Sequence, residues 1–235
     1  RPDIIGTPTG FIELDRMTSG FKGGELIIIG ARPSMGKTAF ALGLASNCSK
    51  PRRVGELGAL VPVYSLEMNN LSLGQRFLSS ASNINSRNIK IGNTSLSQED
   101  WTKIYFGVAE LSMNDILLND KSGIDIFQIK NDLIRLRKEN PDREIICFID
   151  YLQLIKGDPV HRGNRNQELS DITRTLKLIC KDYNFCIVAL SQLSRGLEQR
   201  QDKRPMMSDI RESGAVEQDA DNVMFLYRDD YYDKE

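Results

Sequence analysis

Apolar residues along this 235-residue chain come in two rhythms. Short unbroken runs at 25–30 (ELIIIG), 61–67 (VPVYSLE), 115–120 (DILLND), 144–150 (EIICFID), 186–192 (CIVALSQ) and 223–228 (VMFLYR) predict strands. Between them, longer amphipathic stretches predict helices over 37–48, 71–82, 97–112 and about 124–139. A fifth follows from Leu169, Ile172, Leu176, Ile179 and Tyr183, which recur at spacings of three and four. Ser97 and Asp100 form a capping-box variant ahead of one helix, and Asn140-Pro141 stops another. Polar stretches at 83–96, 156–166 and 195–214 read as loops, the last two rich in arginine, and no convincing repeat is present.

Strands that are apolar throughout, separated by helices, predict an α/β fold: a mainly parallel, twisted sheet with helices on both faces. The length suffices for one substantial core. Ligands of such sheets bind where the strands end. That rule collects Gly30–Thr38, Glu67, Asp150 and Gln192 along one edge, because each follows a predicted strand.

The first of these strand ends carries the clearest chemistry. Residues 30–39 read GARPSMGKTA, so Gly36-Lys37-Thr38 completes the second half of a phosphate-binding loop. The first glycine of that pattern is replaced by Ala31, with Gly30 one place early. A methyl group fits at 31 if no positive φ is needed there. The loop's contacts are expected from Ser34, Met35, Gly36, Lys37, Thr38 and Ala39, with backbone N–H groups and a helix start facing the phosphates. Lys37 would reach the β- and γ-phosphates, and Thr38 would ligate Mg2+.

Asp150 closes an apolar strand in the Walker B manner and is the second expected Mg2+ residue. Because Tyr151 rather than a glutamate follows, the catalytic base is sought elsewhere, and Glu67 at the next strand end is the candidate. Gln192 could sense the γ-phosphate through its amide. Asp219 and Asp221 receive no role.

Composition narrows the picture little. Thirty-one basic against 32 acidic residues leave a formal charge of −1, so an anionic polymer must be met by a local cluster. Cys48, Cys147, Cys180 and Cys186 contain no Cys-x-x-Cys pair, and His161 is the lone histidine; reduced thiols in the cytoplasm are expected. No apolar run approaches the ~18 residues of a membrane span.

Taken together, PTGFIELDRMTSGFKGGELIIIGARPSMGKTAFALG, VYSLEM, IDYLQLI, ALSQLSRGLEQRQDKRPMMSDIRESGAVEQDAD and FLYRDDYY closely resemble the RecA-like motor domain of the DnaB family of replicative DNA helicases, bacterial or bacteriophage. Family members also accept alanine at position 31. The resemblance implies a RecA-like P-loop NTPase core and a homo-hexameric ring. It implies a ring that hydrolyses ATP or another nucleoside triphosphate with Mg2+, threads single-stranded DNA and unwinds duplex. A primase and a helicase loader are implied as partners. Lys37, Glu67 and Gln192 match the family's catalytic positions, and Thr38 and Asp150 its metal positions. The stretch from Arg211 through Glu212 to Gly214 matches its DNA-tracking channel loop. Arg195, Arg200, Lys203 and Arg204 supply nearby positive charge, and Arg162 and Arg165 beside His161 are candidates for a second loop. Relative to the family, residues 1–235 are expected to be one motor domain, without the N-terminal domain and linker helix. The basic residues that enter a neighbour's site lie beyond Glu235, so slow hydrolysis is expected of this chain alone. Two other readings stay open: a filament-forming recombinase-type ATPase, and a nucleotide-gated scaffold with little turnover.

Overall fold

The computed structural model describes residues 4–53, 55–161, 163–210 and 213–232. Six parallel strands form one sheet: β1 (Leu26–Ala31), β2 (Val61–Ser65), β3 (Ile116–Asn119), β4 (Ile146–Asp150), β5 (Cys186–Gln192) and β6 (Asn222–Phe225). Their order is β3-β2-β4-β5-β1-β6. The helices are α1 (Ile12–Thr18), α2 (Lys37–Ser49), α3 (Asn70–Ser82), α4 (Ser86–Ile91), α5 (Gln98–Ser112), α6 (Ile126–Glu139), α7 (Arg165–Tyr183) and α8 (Ser213–Asp219).

Strand alternation divides the core between the two faces of the sheet. Leu26 and Ile28 of β1, Cys147 and Ile149 of β4, and Ile187 and Ala189 of β5 pack with Ile129 and Leu133 of α6 and Ile172 and Leu176 of α7. Ile27 and Ile29, Ile146 and Phe148, and Val188 and Leu190 point the other way, onto Leu44 and Ala45 of α2 and Leu73 and Phe77 of α3. Both sides are therefore dry, which is why these strands read as unbroken apolar runs. Leu176 is fully buried at the centre of one face. Leu176→Ala keeps helix propensity, so its cost is packing alone. We expect a loss of about 2–5 kcal/mol, read as a lower urea midpoint at unchanged slope.

Where polar side chains close helix ends, they do so as the sequence suggests. Ser97 and Asp100 form the reciprocal capping box of α5, and Asn69, Asp125 and Asn164 cap α3, α6 and α7. Asp219 accepts a hydrogen bond from Thr173 Oγ1 at 2.9 Å. Asp221 accepts the Leu26 N–H at 2.7 Å and pairs with Lys177 at 2.6 Å, fastening α7 to the start of β1.

Three stretches expected to be loops differ. Residues 83–96 contain α4, which is capped by Asn85 and buries none of its own residues, so it shows no apolar stripe. The 156–166 stretch holds a 3-10 turn at Pro159–His161 and gives its end to α7. In 195–214, 3-10 turns at Arg195–Gln199 and Met207–Asp209 bury Leu197 and Asp209, and α8 begins at Ser213. None of the described helices is long and apolar enough to cross a membrane.

Candidate nucleotide site

The ends of β2, β4, β5 and β1 lie side by side, with Ser65 opposite Asp150 and Gln192 opposite Ala31. Ala31 is fully buried within β1 and takes no positive φ, so its methyl group is accommodated. Gly30 is needed for a separate reason. A Cβ there would come within 2.9 Å of Leu193 Cδ2 and 3.1 Å of the Phe225 ring.

Beyond Ala31 the backbone turns sharply. Ser34 has φ +67° and Gly36 φ +88°, left-handed values that turn N–H groups toward one concavity. Gly36 caps α2 with no side-chain acceptor, unlike α3, α5, α6 and α7, so that helix start keeps donors for an anion. Met35 buries its side chain and sends its N–H to Arg32 O at 3.4 Å, a bond within the loop. No atom lies within 4 Å of a Cβ built on Gly36, so the glycine requirement in the protein is conformational. For Gly36→Ala we expect a loss of about 1–2 kcal/mol in urea unfolding. Binding of a fluorescent ATP analogue should weaken about tenfold or more as the loop relaxes.

Thr38 Oγ1 donates to Asp150 Oδ2 at 2.6 Å. Asp150 is 6 % exposed; its Oδ1 lies 3.9 Å from Lys37 Nζ and, though buried, accepts no hydrogen bond. A buried carboxylate oxygen without a hydrogen-bond partner, next to a hydroxyl, fits a hydrated Mg2+. Among the described residues no cluster of three or more His, Cys, Asp or Glu side chains forms a metal cage. Mg2+ held by few protein oxygens, waters and phosphates needs none. Burial pushes the Lys37 ammonium below its ordinary pKa, with Asp150 and Glu67 pulling the other way. Its Nζ also sits 4.4 Å from the centre of the Tyr151 ring. Burial, reinforced by Glu67 and Asp150, raises the Tyr151 phenol.

These groups share a cleft of about 390 Å³ whose walls include Arg32, Ser34, Gly36, Lys37, Thr38, Ala39, Glu67, Arg76 and Gln192. The cleft thus brings together every expected catalytic residue and most of the expected phosphate-loop residues. Asp150 touches it through Thr38 and Lys37. Larger hollows elsewhere on the molecule, such as the 580 Å³ one lined by Arg52 and Asp142, lack this chemistry.

The basic residues divide. Arg195 and Arg204 are exposed. Lys203 Nζ lies 4.8 Å from the Tyr232 ring centre, and the Arg204 guanidinium 6.0 Å from that of Tyr227. Arg200, expected among the residues supplying positive charge, is paired within the loop. Its two terminal nitrogens fork onto Asp209 at 3.0 and 2.9 Å, and Asp209 is 4 % exposed. It shapes the loop. Arg165 is likewise held by Glu168 and by Gln153 O, and His161 pairs with Asp171 at 2.7 Å. Gly214 is exposed in the first turn of α8, while Arg211, Glu212 and Arg162 lie outside the described residues.

A family model, that of the DnaB-like helicase C terminal domain, matches residues 6–235. The chain belongs to this DnaB-like family. Among curated relatives, the replicative DNA helicase DnaC of Bacillus subtilis (strain 168) is 52% identical over 233 residues, covering 99% of this chain and 49% of that protein. The chain therefore spans about half the length of the curated relatives it matches. A solved structure of a DnaB-like replicative helicase, described with its interactions with primase, is 44% identical. It superimposes with a TM-score of 0.93 over 100% of this chain and 56% of its own. A second solved structure, described as an ATPase domain, gives 0.92 at 45% identity over 99% of this chain and 80% of its own. The fold is RecA-like.

Several residues of this DnaB-like site are not marked by the sequence pattern. Gln153 Nε2 donates to Ser191 Oγ at 2.9 Å, and Gln153 Oε1 accepts the Gln192 N–H at 3.3 Å, bracing the strand end that presents Gln192. Arg76 enters the cleft wall from α3. Arg32, 7 % exposed, joins the phosphate loop to the turn at Arg195–Gln199. Only Arg32 left a signal, a charged residue immediately after a buried strand.

Proposed function

We propose that this chain is the motor domain of a replicative DNA helicase, hydrolysing ATP or another nucleoside triphosphate to move along single-stranded DNA and unwind duplex at the replication fork. The observation that carries this reading is the convergence of Lys37, Thr38, Glu67 and Gln192 on one cleft, with Asp150 behind it. Membership of the DnaB-like family and the relatives' names support it.

In this reading the phosphate-loop N–H groups and Lys37 bind the phosphates and offset charge that builds during transfer. Thr38 and Asp150 would hold Mg2+, which when bound neutralises phosphate charge and orients the oxygens. Glu67 positions the attacking water and accepts its proton. Gln192 contacts the terminal phosphate with its amide, its backbone held still by Gln153. Arg195, Lys203 and Arg204 meet DNA phosphates, so binding is sequence-independent and falls with salt. The working form is a homo-hexamer in the cytoplasm, with a primase and a loader as partners. All four cysteines are free and buried, in keeping with a reducing compartment.

The test follows ATP hydrolysis by the intact protein with and without a single-stranded oligonucleotide, with Lys37→Ala as blank. Stimulation by DNA, lost in the blank and weakened by salt, is expected. Hydrolysis indifferent to DNA would overturn the motor reading.

A further inference from the structure

Arg32 leaves the sheet between Ala31 and the phosphate loop, and all three of its guanidinium nitrogens are engaged. Nε and Nη2 donate to Glu198 Oε1 at 2.9 and 2.8 Å, and Nη1 donates to Leu193 O at 2.9 Å. Glu198 sits in the 3-10 turn Arg195–Gln199, the first segment of the basic loop. That turn is packed down by the fully buried Leu197 and continues to Arg200, which is forked onto Asp209. The Ser194 N–H donates to Asp209 O at 2.8 Å, so both ends of the loop are tied to one carboxylate residue. Residues 194–209 therefore form a braced unit, and the Arg32–Glu198 pair is a charged link from that unit to the phosphate loop.

Arg32 is also a wall shared by two clefts. One is the phosphate cleft; the other, of about 320 Å³, is lined by Arg32, Tyr151, Gln153, Gln192, Leu193 and Arg195. The buried guanidinium holds Glu198 and at the same time belongs to the wall of the cleft proposed to take the phosphates. An arginine has one planar fork, and two anions compete for it. Such competition gives nucleotide a differential affinity for two arrangements of the turn, which is the requirement for a ligand to shift a conformational equilibrium.

We propose that Arg32 and Glu198 form a latch that couples nucleotide occupancy to the DNA affinity of the 195–204 loop. Glu198 is a positioning residue: it acts by holding the turn through Arg32. The latch rests on the motor reading above and adds to it a transmission element separate from Gln192.

The test measures binding of a labelled oligothymidylate to the intact protein, with and without a non-hydrolysable ATP analogue and Mg2+. The ratio of the two Kd values is the coupling, and reciprocity requires the same factor in analogue binding with and without DNA. In the wild type a ratio of about fivefold or more is expected. In Glu198→Gln the ratio should collapse to below about twofold, while the Kd for each ligand alone stays within about threefold. Glu198→Asp, which keeps the charge, should restore part of the ratio. Arg32→Gln in the Glu198→Gln background should lower it no further, since the two act as one unit. A Glu198→Gln protein with the wild-type ratio overturns the latch and leaves the motor reading standing. A wild type in which nucleotide leaves DNA affinity unchanged overturns both.

Discussion

Lys37→Ala is expected to lower kcat for ATP hydrolysis by about 10²–10³-fold, the scale on which a single preorganised charge-stabilising group acts in a shielded site. Lys37 is the cation that the fold places at the start of α2 with its Nζ inside the cleft, 14 % exposed along its side chain. Burial lowers its pKa, and Asp150 and Glu67 oppose that shift. Arg32, another cation of the cleft wall, has its fork on Glu198 and Leu193 O and cannot substitute without releasing them. In the proposed motor Lys37 serves the transition state as well as the bound triphosphate, so kcat should fall along with a weaker nucleotide Kd. Single-turnover hydrolysis paired with equilibrium binding separates the two. A variant that turns over within tenfold of wild type would remove Lys37 from the chemistry.

Glu67→Gln should have the opposite signature, a kcat reduced by about 10²–10⁴-fold with nucleotide affinity within about threefold. The substitution keeps the shape of the cleft wall and removes only the ability to take a proton. Glu67 is exposed at the end of β2 and accepts no structural hydrogen bond among the described contacts, so stability should stay within about 0.5 kcal/mol. The assay is steady-state phosphate release beside fluorescent-analogue binding, with a strand-displacement assay on the intact protein. Loss of both turnover and unwinding is expected. Partner binding and function that persist in Glu67→Gln without turnover would favour the scaffold reading instead.

Much of this architecture is visible in the sequence for a simple reason. Strands covered on both faces, such as Leu26–Ala31 and Cys186–Gln192, need apolar residues at nearly every position, so they stand out as runs. Long helices with one buried stripe, such as α7, stand out by spacing. Helices α4 and α8, with 6 and 7 residues, have too few turns to imprint a period. The expected chemistry at the strand ends is likewise legible, because Lys37, Thr38, Glu67, Asp150 and Gln192 each follow a recognisable strand.

Pairings across long separations are not legible. Arg32 meets Glu198 across 166 positions, and Gln153 meets the Gln192 N–H across 39. The strand-end positions of Arg32 and Gln192 can be read locally, but nothing local says which residue each will meet. Arg200 shows the converse: a count of basic residues assigns it to a ligand, while the fold hands it to Asp209, nine positions on. Charge read along a chain does not say which charges have already been spent inside it.

The four cysteines have a use that their packing creates. Each is buried, and desolvation pushes every thiol upward, that of Cys180 to about 12. Thiolate is the species that alkylating dyes attack, so the native thiols of this domain should be silent toward maleimides at neutral pH. A cysteine introduced at an exposed site such as Gln201 would then be the reactive one in the domain. The basic loop can be fitted with a fluorophore and watched in real time, without first stripping the core of its sulfur.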